Sequence, residues 1–187
     1  MDDDLRKALA AGDAAAVVRV YDQHGPAMFR VAFRLLGSRH DAEDVVGEVF
    51  ASMVRGRERL AFVSDVKAYL FASLRHAAGR AIRKRRQQAA TGLDAANWPA
   101  RASSGGSGGL SGAGWGGEGS GDSEEAERLW AMVGRLPEEQ RDVLVLKIQG
   151  ELSFKEIGVI FGISANTAAS RYRYALEKLQ RMAERHE

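Results

Sequence analysis

Residues 152–178 read LSFKEIGVIFGISANTAASRYRYALEK, two short helices with a tight corner between them. Ser153 followed by Glu156 is a capping box, in which the hydroxyl accepts from an orphan N–H and the carboxylate reaches back to the cap. Phe154, Ile157, Ile160 and Phe161 recur at three-to-four spacing and mark one face of the first helix. Gly162 stops it, because glycine takes the left-handed conformation without steric cost. Ile163 is placed to plug the corner, and Ser164 is a natural cap for the second helix. That helix turns Ala168, Tyr172, Ala175, Leu176, Leu179 and Met182 toward a core. Its early outward positions are Ala165, Asn166, Thr167, Ala169, Ser170 and Arg173, with Arg171 near the edge. Small residues admit close approach to a duplex, and Asn and Arg can read base edges in a major groove. A plain helical hairpin with a polar face is the competing interpretation. The cap, the Gly-Ile-Ser corner and the position of Asn166 favour DNA.

Working outward, residues 124–134 carry Leu129, Trp130 and Val133. Leu136-Pro137-Glu138-Glu139 is a helix start with acid in the first turn, and Val143, Leu144 and Ile148 supply its core face. Before this module, residues 89–123 read as a disordered Gly/Ser-rich linker, with Trp115 as a stray aromatic.

The first part of the chain reads as a second helical module. Residues 13–24 and 26–36 form a helix pair or one helix kinked at Pro26, with Val17, Tyr21, Met28, Ala32 and Leu35 on one face. Residues 41–58 form a helix with Ala42, Val45, Val46, Val49, Phe50 and Met53 as its apolar stripe. Asp41, Asp44 and Glu48 lie on the other side, with Glu43 beside them. Three readings compete for this acidic face. It is a solvated surface with charge suited to a helix N-terminus, a docking surface for a basic or polar partner helix, or a metal or catalytic site. The last would require Glu-x-x-His pairs, which the four histidines do not supply. Residues 56–64 read as a loop in which Leu60, Phe62 and Val63 fold inward or wall a pocket. Residues 65–86 form a helix capped by Asp65, with Val66, Tyr69, Leu70, Ser73, Leu74, Ala77 and Ala81 facing the core. Its second half carries Arg75, Arg80, Arg83, Lys84, Arg85 and Arg86. That is more positive charge than a helix dipole needs, and a phosphate backbone is the simplest partner.

Composition sets the bounds. The chain has 187 residues, a net charge of +2 and no cysteine, which excludes a disulfide scaffold, a thiolate metal site and a cysteine nucleophile. The net charge hides an asymmetry. Residues 1–90 hold 16 Lys+Arg against 11 Asp+Glu, and residues 124–187 hold 10 against 11. The acidic N-terminus lacks the pattern of a signal peptide, and no stretch has the run of apolar residues needed to span a bilayer. The expectation is therefore an all-α, cytoplasmic protein of two small domains, 1–88 and 124–187, joined by the 89–123 linker. No cofactor, no metal and no membrane partner are expected.

Three motif blocks support a resemblance. Asp41-Ala42-Glu43-Asp44-Val45-Val46-Gly47-Glu48-Val49-Phe50, Tyr69-Leu70 through Arg83-Lys84-Arg85, and the pair Leu136-Pro137-Glu138-Glu139-Gln140-Arg141 and Leu152-Ser153-Phe154-Lys155-Glu156-Ile157 occur in order. The chain resembles bacterial RNA polymerase sigma factors of the extracytoplasmic-function group, which keep two sigma domains. The resemblance implies a non-enzymatic subunit, monomeric when free, that binds core RNA polymerase and promoter DNA, with an anti-sigma protein as a further partner. It implies docking on polymerase through Asp41, Glu43, Asp44, Gly47, Glu48 and Phe50. The minus-ten element would be bound and opened by Phe62, Tyr69, Arg75, His76, Arg80, Arg83, Lys84 and Arg85. The minus-thirty-five element would be read by Ser164, Ala165, Asn166, Thr167, Ala169, Ser170, Arg171, Arg173 and Tyr174. Gly47 stands where the family usually has Gln, His76 at the usual Asn, Ala169 at a usual Lys or Arg, and Tyr174 and Leu176 at common arginines. Two rivals remain: a stand-alone helix-turn-helix regulator, and a helical metalloenzyme using Asp41, Asp44 and Glu48.

Overall fold

The computed structural model describes residues 3–90 and 123–184, all of them helix, turn or short connection. The expected linker falls almost wholly outside the described residues. Helix α1 is Asp3–Ala11, α2 Ala14–Leu36, α3 Arg39–Arg55 and α4 Val66–Ala90, with a short 3-10 helix, Arg57–Phe62, between α3 and α4. The second part contains α5 Ser123–Gly134, α6 Glu138–Ile148, α7 Phe154–Phe161 and α8 Ala165–Ala183. The all-α expectation holds.

Each start and stop has a local cause. Asp13 caps α2 by accepting from the Ala15 N–H, Ser38 caps α3 through Asp41, and Asp65 accepts from the Ala68 N–H at 3.0 Å to open α4. Pro26 lies inside α2 and does not end it, so the helix runs unbroken from Ala14 to Leu36. Gly37 stops it at φ 69°. Helix α1 was not anticipated. Leu5 and Leu9 are buried on its inner face, and it packs on the 3-10 helix.

Helix α3 buries the expected stripe of Ala42, Val45, Val46, Val49, Phe50 and Met53 without exception. Other faces differ from expectation. On α2 the buried set is Ala16, Val20, His24, Met28, Val31, Ala32 and Leu36, whereas Tyr21 is exposed. Leu60 is buried, but Phe62 next to it is 91% exposed, so the apolar loop neither folds wholly inward nor walls a pocket. Ile148 at the end of α6 and Leu176 on α8 were assigned to the core and are exposed. Helix α6 instead buries Val143, Leu144, Val145 and Leu146 in succession, because it is surrounded by α2, α7 and α8.

The two halves pack on each other. Helix α4 lies against α7 and α2 against α6, and one continuous apolar cluster runs from Leu5 to Leu179. Phe71, on α4, is fully buried. Its ring edge lies 3.2 Å from where a Cβ on Gly150 would sit, and that Cβ would also fall 2.6 Å from the Leu146 carbonyl oxygen. Glycine is therefore required at position 150 for the α6–α7 turn to approach α4 this closely.

Candidate nucleic-acid interface

The helix-turn-helix is α7 and α8. Ser153 accepts from the Glu156 N–H at 3.2 Å and its own N–H donates to the Glu156 carboxylate at 2.6 Å, so the capping box is complete. Burial opposes ionisation of Glu156, but the Ser153 hydrogen bonds and Lys67, 2.9 Å away, outweigh it and hold the carboxyl below its usual range. Ser153→Ala removes one half of this box and is expected to destabilise the second half by about 1 kcal/mol, read as a lower urea midpoint at unchanged slope. At the corner Gly162 has φ 65°, and the Ile163 N–H donates to the Gly158 carbonyl at 2.9 Å. A Cβ at position 158 would lie 2.7 Å from the Ile163 carbonyl, so Gly158 lets the corner close.

Helix α8 begins at Ala165, with Ser164 accepting from the Thr167 N–H at 3.0 Å and its hydroxyl paired with that of Thr167 at 2.8 Å. Ala165, Asn166, Thr167, Arg173 and Tyr174 are exposed, and Ala169 and Ser170 half-buried. These residues lie along the first turns of one helix, free for a duplex. Arg171 differs: it is engaged by Glu139 at 2.7 Å and lies beside the Phe161 ring.

In the first half, Phe62 projects from the 3-10 helix, and Tyr69 is half-buried at the start of α4. His76, Arg83 and Lys84 are exposed on that helix. Three of its arginines have partners. Arg80 pairs with Glu48 at 2.6 Å. Arg85 reaches Asp41 at 3.4 Å and donates to the Leu36 carbonyl at 3.1 Å, closing the end of α2. Arg75 lies 3.4 Å from the Asp142 carboxylate and 4.1 Å from the Phe161 ring centroid. The acidic face of α3 and the basic face of α4, separate features in the sequence, are thus joined by ion pairs. On α3, Asp44 faces His40 at 3.6 Å and Glu43 holds Arg39 at 2.9 Å. Phe50 is buried edge-on against Tyr21 at 5.0 Å, so its side chain is not presented at the surface. Gly47 has open space around its Cβ position. Among the described residues no three His, Cys, Asp or Glu side chains are grouped to hold a metal ion, and no helix is long and apolar enough to cross a membrane.

Sequence reasoning missed two titratable groups. His24 is buried where α2 meets Lys67 and Glu156, with its Nε2 lacking a hydrogen-bond partner. Burial and then Lys67 lower its pKa, with Asp65 and Glu156 opposing. The fold therefore keeps it neutral. Its stabilising contribution is complete above the ordinary value of 6.5 and is lost as pH falls through 6.5 toward the lower folded value. His24→Leu is expected to flatten the decline in melting temperature below pH 6.5. An unchanged decline would place its origin elsewhere. Asp142 is the second group, 5% exposed. Burial raises its pKa, while Arg141 and Arg75 pull it down. Both groups lie between the halves, where no single-helix periodicity could mark them.

A two-part helical chain with a helix-turn-helix at one end and an arginine-lined helix at the other is a DNA-binding protein. Residues 20–88 match Sigma-70 region 2, and residues 126–179 match Sigma-70, region 4. The chain belongs to the sigma-70 family, in its extracytoplasmic-function group, and directs RNA polymerase to promoters. Among solved structures it is similar to CnrH, in complex with the cytosolic domain of CnrY, with TM-score 0.68 and 19% identity over 100% of this chain and 99% of that one. It is also similar to the sigma factor RpoE in complex with the anti-sigma factor NepR from Bartonella quintana, with TM-score 0.64 and 22% identity over 89% of this chain and 95% of that one. No curated protein matches its sequence.

Proposed function

We propose that the two halves divide promoter recognition, with residues 1–88 docking on core RNA polymerase and opening the minus-ten element and residues 124–187 reading the minus-thirty-five element. The exposed start of α8 carries this reading: Ala165, Asn166 and Thr167 stand clear of the core on a helix fixed by its Ser164 cap. Docking falls to Asp41, Glu43, Asp44 and Glu48 on α3. Phe62 and His76 are placed to meet a base that leaves the stack, and Arg83 and Lys84 to hold the strand. The protein acts in the cytoplasm, where core polymerase is. An anti-sigma protein is a further partner, supported by the similarity to RpoE, which was solved with NepR.

The upstream grip is expected to be weak, because Ala169, Tyr174 and Leu176 present no positive charge. Ala169→Lys adds one cation beside the phosphates. It is expected to tighten binding to upstream-element duplex and to steepen the slope of log K against log salt by about 1. A titration with unchanged affinity and slope would remove α8 from the duplex at that position.

A further inference from the structure

Lys67, Phe71 and Arg75 follow one another at four-residue intervals on α4, and all three are covered by the second half of the chain. Lys67 meets Glu156 at 2.9 Å, Phe71 packs on Gly150, and Arg75 meets Asp142 and Phe161. Two further contacts tie the edge from α2. Arg30 donates to the Gln149 carbonyl at 3.3 Å and the Glu151 carboxylate at 3.0 Å, and Arg34 lies 4.2 Å over the Trp130 ring. Arg75 is a minus-ten residue in the proposed function, yet its guanidinium is mostly enclosed between the halves. Its Nε is buried without a well-aligned hydrogen-bond acceptor, although the Asp142 carboxylate is 3.4 Å away. The pair is held by charge and enclosure rather than by a good hydrogen bond. A phosphate, with tetrahedral oxygens free to align, is a better partner for the same fork of donors.

We propose that the second half of the chain is a gate on α4: Asp142 occupies the place of a promoter phosphate at Arg75, so closure of the two halves and binding of single-stranded promoter DNA by α4 exclude one another. This rests on α4 being a promoter-binding helix. The free factor is then a poor DNA binder by construction, and any partner that holds the halves apart uncovers Arg75. Asp142 is a gating residue and does not itself touch DNA.

The chain has no cysteine, so donor and acceptor dyes can be placed at Arg19→Cys and Gln180→Cys, both on exposed helix positions in opposite halves. Energy transfer and binding of a single-stranded DNA oligonucleotide of randomised sequence would be measured at low salt for three chains. These are the labelled parent, the same chain with Asp142→Asn, and the same chain with Arg30→Ala. The arginine variant releases the far edge of the junction and leaves the core of each half intact, which covers the case in which Asp142→Asn fails to fold. The expected result is lower transfer together with oligonucleotide binding about 10-fold tighter, the gain when a form open about a tenth of the time becomes the main one. Unchanged transfer in both variants would overturn the gate. Lower transfer with binding equal to the parent's would also overturn it, while leaving α4 as a DNA helix. Lower transfer with no oligonucleotide bound by any of the chains would remove the DNA role from α4, and the gate with it.

Discussion

Converting Asp44 and Glu48 together to lysine is expected to weaken binding to core RNA polymerase by about 100-fold or more. Both side chains are exposed on α3, and the apolar stripe on the opposite face is intact without them. Two reversed charges on a docking face turn attraction into repulsion, and like-charge contact across an interface costs several kcal/mol, where about 2.7 kcal/mol is already 100-fold. The fold tolerates the change. Glu48 is paired only with the half-exposed Arg80, and surface pairs of this kind contribute about 0–1 kcal/mol. Fluorescence anisotropy with labelled factor and purified core enzyme measures the loss, and circular dichroism checks that helix content is kept. Tight binding retained by a folded double variant would move the docking surface off α3 while leaving the family assignment untouched.

Phe71→Ala is expected to lower the midpoint of thermal unfolding by roughly 10 °C. The ring is fully buried, and truncating a buried phenylalanine costs about 3–5 kcal/mol. For a chain of this size each kcal/mol corresponds to about 2–4 °C. The size of the effect depends on where the ring packs. Were the halves apart, the side of α4 that carries Phe71 would lose the cover given by Gly150 and its turn, and the penalty would shrink toward that of a surface truncation. Calorimetry of the purified variant distinguishes the two, and a shift of only a degree or two would mean that the ring is not enclosed in solution.

What could be read from the sequence follows from which helices have a single dry face. Helix α3 packs inward and shows water the other way, so one apolar stripe described it completely. The capping box at Ser153, the stop at Gly162 and the cap at Ser164 are local chemistry and were equally legible. Helix α4 has two dry faces, one toward its own half and one toward α7. A single stripe caught Leu70 and Leu74 and left out Phe71. Helix α6 is enclosed on nearly all sides, so its run of Val143 to Leu146 has no helical period, and the pattern placed Ile148 inward. Leu5 and Leu9 were spaced for a helix in a segment read only for its lack of a signal peptide. The same limit applies to the interface residues. Arg75 stood out as a cation, but its partner Asp142 is 67 positions away in the chain, and no local pattern connects them.

Glu151 gives the junction a different character from the contacts around it. It is a non-glycine residue at φ 53°, a backbone state that L-residues occupy at some cost, and it holds that state while its carboxylate grips Arg30. The turn is therefore cocked. When Arg30 lets go, Glu151 can relax to an ordinary conformation, and part of the free energy lost with the contact returns from the backbone. Separation of the halves is for this reason less uphill than the number of their contacts suggests, which suits a joint that must come apart in use and re-form afterwards.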